Sequence, residues 1–146
     1  MSIMCYFRIL VIFSIISLAN SAGFIGRLQS TGAVGRLTCN GNPYNQALVK
    51  LFDEDDLDID DLIADTKSNM NGEFTVQGSH REITSIDPKV VIFHNCNEVI
   101  GICSRKITLK IPDSYITSGS TPSKIYDIGT LELSGKFDGE ERDCFH

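Results

Sequence analysis

The chain is poor in positive charge. Lysine and arginine number 13 against 19 aspartates and glutamates, a formal net charge of −6 over 146 residues. Non-specific nucleic-acid binding runs on clustered Lys and Arg, so this balance argues against it. Metal-finger spacing is missing too. There is no Cys-x2-Cys and no His pair three to five residues apart, and the three histidines (His80, His94, His146) are scattered. His94 reads as a strand residue beside a disulfide rather than a ligand. No Gly-x-Ser-x-Gly occurs, so a nucleophile elbow is absent. No phosphate-binding Walker loop and no His-Glu-x-x-His appear. Ser118-Gly119-Ser120 precedes Pro122 and reads as a turn. No Asn-x-Ser/Thr sequon occurs, so the surface is expected to be free of N-linked sugar. No stretch shows helical periodicity over three turns, and no repeat or low-complexity linker divides the chain. These absences leave one all-β domain without a recognisable catalytic or cofactor motif.

The apolar run is short. Residues 9–19 carry no charge, follow Arg8 and the amino terminus, and lead into the small residues Ala19, Ser21 and Ala22. A bilayer-spanning helix needs about 20 apolar residues. A positive start, an apolar middle and a small-residue exit describe a secretory signal peptide. The expected division is a signal over residues 1–22 and a folded domain over residues 23–146. Loss of Arg8 and Cys5 with the signal leaves a net charge of −7 and four cysteines, and no transmembrane segment.

Cys39, Cys96, Cys103 and Cys144 would then reach an oxidising compartment, where disulfides persist and no free thiolate is expected. Four cysteines allow three pairings. Cys96 and Cys103 flank a connection of six residues between two strand-like runs, which predicts that a hairpin brings them together. Cys39 and Cys144 would form the second bridge, holding down the tail.

Short β runs separated by turn residues dominate the rest. Candidate strands are residues 33–39, 46–53, 73–77, 89–95, 105–111 and 124–134. Asn40-Gly41-Asn42-Pro43 and Asn71-Gly72 read as turns. Phe74 and Val76 share a face. Val90-Val91-Ile92-Phe93 is apolar on both faces and is expected at the centre of a sheet. Ile107, Leu109 and Ile111 alternate with Lys106, Thr108 and Lys110. Ile128, Leu131 and Leu133 are core candidates, with Gly129 as a bulge. Residues 56–64 could make one helical turn. Six or seven strands with Gly and Pro turns imply a two-sheet, Greek-key β-sandwich.

One stretch stands out. Asp53, Glu54, Asp55, Asp56, Asp58, Asp60, Asp61 and Asp65 place eight carboxylates in residues 53–65. Calcium sites draw six to eight oxygens from such patterns, but the EF-hand glycine and terminal glutamate are absent. Three readings stay open: a solvated loop, a weak calcium site, and a docking surface for a basic partner. No metal is assigned.

Several linked segments together resemble the nematode transthyretin-like family of secreted proteins. They are Gly35-Arg36-Leu37-Thr38-Cys39; Val49-Lys50-Leu51-Phe52-Asp53-Glu54-Asp55 with Asp60-Asp61-Leu62; Thr66 and Asn71-Gly72-Glu73-Phe74; Ile86-Asp87-Pro88-Lys89 with His94 and Cys96; Lys106-Ile107-Thr108 with Ile111-Pro112; Tyr126-Asp127-Ile128-Gly129; and Gly139-Glu140 with Arg142-Asp143-Cys144. The resemblance implies a transthyretin-like sandwich and secretion to the extracellular region or cell surface. It does not imply hormone transport. The 5-hydroxyisourate hydrolases of related fold use a histidine near the start and a Tyr-Arg-Gly-Ser ending. Here no histidine precedes His80 and the ending is Arg142-Asp143-Cys144-Phe145-His146. The expected role is an extracellular binding or bridging module, without a cofactor, for a lipid, a small apolar molecule or a surface protein. The alternatives are a small hydrolase built on His94 or His80 beside carboxylates, and a self-associating structural protein. Monomer and homodimer both remain open.

Overall fold

Alternation along the strands decides which side chains meet. In the computed structural model, which describes residues 26–55, 59–99 and 103–145, ten strands follow in chain order. They are β1 (Arg27–Cys39), β2 (Asn42–Pro43), β3 (Leu48–Asp53), β4 (Asp61–Lys67), β5 (Glu73–Glu82), β6 (Pro88–His94), β7 (Ser104–Lys110), β8 (Thr117–Ser118), β9 (Tyr126–Glu132) and β10 (Glu141–Asp143), with a 3-10 turn at Asp113–Tyr115. The proposed secretory signal lies outside the described residues.

Two sheets form the sandwich. In the first, β1 is central: it runs antiparallel to β5 and parallel to β9, with the short β2 and β8 at its ends. The second has the order β10-β7-β6-β3-β4. Each sheet turns one face inward, so buried positions recur every second residue. Val49, Leu51 and Asp53 are the buried positions of β3. Phe74 and Val76 are those of β5. β6 is buried at every position but Lys89, as befits a strand flanked by β3 and β7. Leu37, Leu51, Ile92, Ile107 and Leu133 fill the space between the sheets and are fully buried. Each such side chain contributes about 1.5–3 kcal/mol on leaving water.

Two glycines allow neighbouring segments to approach closely, Gly72 against β1 and Gly78 against β4. Gly72 has φ +77°, and a Cβ there would meet the Leu37 carbonyl oxygen at 2.2 Å. The Asn71-Gly72 turn forms as the sequence predicts, with Asn69 accepting from the Asn71 and Glu73 N–H groups. At Gly78 a Cβ would meet Ile63 Cγ2 at 2.7 Å. Its absence lets β4 close on β5 and brings the start of one strand near the end of the other.

Three expectations change. Both disulfides form, but as Cys39–Cys96 and Cys103–Cys144, not as Cys96–Cys103 and Cys39–Cys144. The β6–β7 ladder stops at His94↔Arg105. Cys96 then turns into the core, 1% exposed, toward the end of β1. On the other side of β7, β10 pairs Asp143 with Ser104. In antiparallel register the next residues, Cys144 and Cys103, fall opposite each other. Second, the predicted helical turn is replaced where it is described: Asp61–Lys67 is a strand, paired to β3 with a bulge at Leu51/Phe52. Third, β1 begins at Arg27, six residues before its expected start at Ala33. Gly129 does lie where the β1–β9 register shifts, with φ +79°.

Candidate functional site

One end of the sandwich gathers the acidic stretch. β3 leaves there at Asp53 and β4 returns at Asp61; β5 ends there at Glu82, β6 begins at Pro88, and β7 ends at Lys110. Register places Lys89 opposite Lys110, and Asp53 opposite both Pro88 and Asp61. Two lysines therefore stand beside the carboxylates of the 53–61 segment.

The lysines fasten the acidic loop to the sheet. Lys89 Nζ lies 2.7 Å from Asp60 Oδ2 and 3.3 Å from Glu54 Oε1. Lys110 Nζ lies 2.8 Å from Glu54 Oε2 and 3.7 Å from Asp87 Oδ2. Asp55 donates its N–H to Asp60 Oδ1 at 3.3 Å. Glu54 is held below the usual carboxylate range by hydrogen bonding to Lys110 and then Lys89. At Asp60, partial burial opposes ionisation, but Lys89 and the Asp55 N–H outweigh it and the pKa is lowered. For Lys89 the same partners overcome its own burial and raise the pKa. Glu54 and Asp60 are thus spent on internal pairs.

Asp53 differs from its neighbours. It is the last inward position of β3 and 2% exposed. Its Oδ1 accepts the Asp87 N–H at 2.7 Å, while the Glu54 N–H donates to the Asp87 carbonyl at 3.0 Å. Oδ2 is buried without a hydrogen-bond partner. Burial raises its pKa, countered in part by the Asp87 N–H and by nearby His80. Asp61 lies with its Oδ2 3.2 Å from His80 Nε2. Asp56 and Asp58 lie outside the described residues.

The four cysteines and His94 sit at the opposite end. His94 is 2% exposed, with Nδ1 accepting the Cys96 N–H at 3.2 Å. It stays neutral because burial, and then the Arg105 charge, push its pKa down to about 4. That matches a core histidine beside a disulfide and gives it no access to a substrate.

Reading the acidic run alone did not connect it to Lys89, Lys110, His80 (considered only as a hydrolase candidate beside carboxylates) or Glu82. A signal for the last two was present: Phe74, Val76, Gly78, His80 and Glu82 occupy one face of β5 by simple alternation. Chemically, the carboxylate end offers an imidazole beside acids, two neutralising lysines, and two buried carboxylate oxygens without a hydrogen bond, of which Glu54 Oε2 is met by the Lys110 ammonium at 2.8 Å and Asp53 Oδ2 is not met by a lysine.

Known proteins share this sequence pattern. A family model described as the transthyretin-like family matches residues 34–112, which run from the second half of β1 through the end of β7. Transthyretin-like protein 5 of Caenorhabditis elegans is 52% identical over 129 residues, covering 88% of this chain and 93% of that protein. Transthyretin-like protein 2 of the same organism is 44% identical, with 86% and 89% covered. Transthyretin-like protein 33 is 39% identical, with 81% and 83% covered.

Proposed function

The chain belongs to the transthyretin-like family, and on that premise we propose that it is a secreted protein which binds an extracellular protein partner on its outer surface. In this reading residues 1–22 are the signal and residues 23–146 the working domain. The observation that carries it is the filled interior. Leu37, Leu51, Ile92, Ile107 and Leu133 close the space between the sheets, which weighs against a small apolar molecule held inside. Recognition then falls to the surface. An acidic surface repels anionic lipid headgroups and favours a basic protein patch.

The edges of the second sheet weigh against self-association through that sheet. β4 is an edge strand with Asp61, Asp65 and Lys67 exposed, and the other edge, β10, has three residues. Charged and very short edges discourage strand-to-strand pairing. Among the described residues no helix is long and apolar enough to cross a membrane.

The test uses the disulfide-bonded protein as bait for extracellular proteins. Capture should weaken at high salt and fall in a variant with Asp55, Asp56, Asp58 and Asp65 changed to Asn. Glu54 and Asp60 are left intact because they hold the loop. Undiminished capture by the variant, or binding to anionic vesicles in place of protein, overturns the reading.

A further inference from the structure

We infer that Asp53, His80 and Glu82 form a binding site for a divalent transition-metal ion of the zinc class. The inward rows of two facing strands both change character at the carboxylate end. On β3 the row runs Val49, Leu51, Asp53; on β5 it runs Phe74, Val76, Gly78, His80, Glu82. Apolar residues give way to ligand types on both sheets at the same place. One ligand atom from each of Asp53, His80 and Glu82 lies within 4.8 Å of the others. Bonds of about 2.0–2.2 Å place tetrahedral ligand atoms roughly 3.4 Å apart. The set therefore closes by at most about 1.4 Å, within reach of side-chain rotation at the half-buried His80 and Glu82.

The buried oxygen is the independent pointer. Asp53 Oδ2 is buried without a hydrogen-bond partner, on a residue 2% exposed. A buried carboxylate is costly unless something compensates it. A plain ion pair with His80 would set an imidazole nitrogen on that oxygen. Instead His80 Nε2 lies 3.2 Å from Asp61 Oδ2. In the neutral imidazole, an Nε2–H donated to Asp61 leaves the lone pair on Nδ1. A carboxylate holding one imidazole nitrogen while the other binds metal is the usual outer support of a histidine ligand. One imidazole and two carboxylates suit zinc-class ions; calcium asks for six to eight oxygens. Three protein ligands leave a fourth position for water or a partner's donor atom. The site does not depend on the acidic surface binding a protein.

Calorimetry of the disulfide-bonded protein with zinc chloride in metal-free buffer tests it. One ion per chain is expected, with a higher melting temperature that a chelator reverses. His80→Gln and Glu82→Gln should each weaken binding at least about tenfold, and Asp61→Asn by a similar factor. Asp55→Asn should leave it unchanged. X-ray absorption on the wild-type protein should show an all-nitrogen/oxygen shell with one imidazole, which keeps the test independent of any variant's folding. No heat and no melting shift with zinc, wild-type affinity in both His80→Gln and Glu82→Gln, or a shell without imidazole overturns the site.

Discussion

The two ends of the sandwich handle buried polar groups in opposite ways. At the disulfide end Arg105 faces inward, 5% exposed. Its guanidinium meets Glu140 in a fork, Nε to Oε1 at 2.6 Å and Nη2 to Oε2 at 2.7 Å. The remaining donors reach the carbonyls of Leu133, Cys96 and Gly135. Glu132 adds a second hub, accepting from Thr38, Asn40, Gly41 and Ser134. Both bridges lie at this end. The only orphan there among the buried side-chain atoms described is His94 Nε2, on a neutral ring. At the carboxylate end the Lys110 ion pair covers Glu54 Oε2, and the orphan that remains belongs to a buried acid, Asp53. The first arrangement serves stability; the second leaves a valence open, and an open valence on a buried acid is what a ligand can fill.

Breaking the disulfide end should cost most. Arg105→Ala strands the Glu140 carboxylate and three carbonyls, and removing one partner of a buried pair costs about 3–5 kcal/mol. Urea unfolding measures it; a loss below about 1 kcal/mol would mean that water reaches the guanidinium site. Next is the Cys39–Cys96 bridge. Its partners are 57 residues apart in sequence, and replacing both by Ala should cost about 2–4 kcal/mol in the same assay. Peptide mapping of the non-reduced protein checks the pairing itself: a fragment joining Cys103 to Cys144 is expected, and one joining Cys96 to Cys103 would contradict the fold.

Acid should loosen the same end by a smaller amount. Folded His94 has a pKa near 4 against 6.5 for a free histidine, through burial first and Arg105 second. Between those values the unfolded chain binds a proton that the folded chain refuses. The stability is therefore whole above pH 6.5 and is lost as the pH falls toward 4. From pH 7 to pH 5 the loss is about 2 kcal/mol. His94→Gln should start less stable, having changed a buried contact with the Cys96 N–H, but should lose less over that interval. Equal losses in both proteins would place the acid sensitivity elsewhere.

How much of this was legible in the sequence follows from the same physics. β3, β6 and the Ile107 side of β7 were readable because each buries one or both faces with apolar residues at period two. The first half of β1 was not. Its buried Gln29, Ser30 and Thr31 are polar and are satisfied by distant partners, Gln29 by the Thr84 carbonyl and Thr31 by that of Tyr115. β4 escaped because the bulge opposite Leu51/Phe52 breaks its alternation. The disulfide pairing turned on β10, three residues long with no apolar pattern, whose register only the fold supplies. Arg105 shares parity with Ile107, but a charged residue is buried only with a partner, and Glu140 reaches it from a distant part of the chain. In the acidic run, spacing showed the carboxylates but not the lysines that neutralise them, since Lys89 and Lys110 reach it through sheet register.

The smallest expected effect separates the two ends most sharply. Asp53→Asn keeps an oxygen for the Asp87 N–H, now 2.7 Å from Oδ1, and removes the buried charge. Burial raises the Asp53 pKa, so the folded chain holds that proton more tightly than the unfolded one. Ionisation at neutral pH then subtracts stability, and the penalty fades as the pH falls and the acid takes up its proton. Asn should therefore raise the melting temperature at pH 7, with the gain shrinking toward pH 4, while zinc binding is lost. At the disulfide end every comparable removal is expected to destabilise. A lower melting temperature for Asp53→Asn at pH 7 in metal-free buffer would mean that the carboxylate is already compensated within the chain, and the contrast between the ends would disappear. A substitution that makes the fold firmer while abolishing metal affinity identifies Asp53 as a residue kept at a cost to stability.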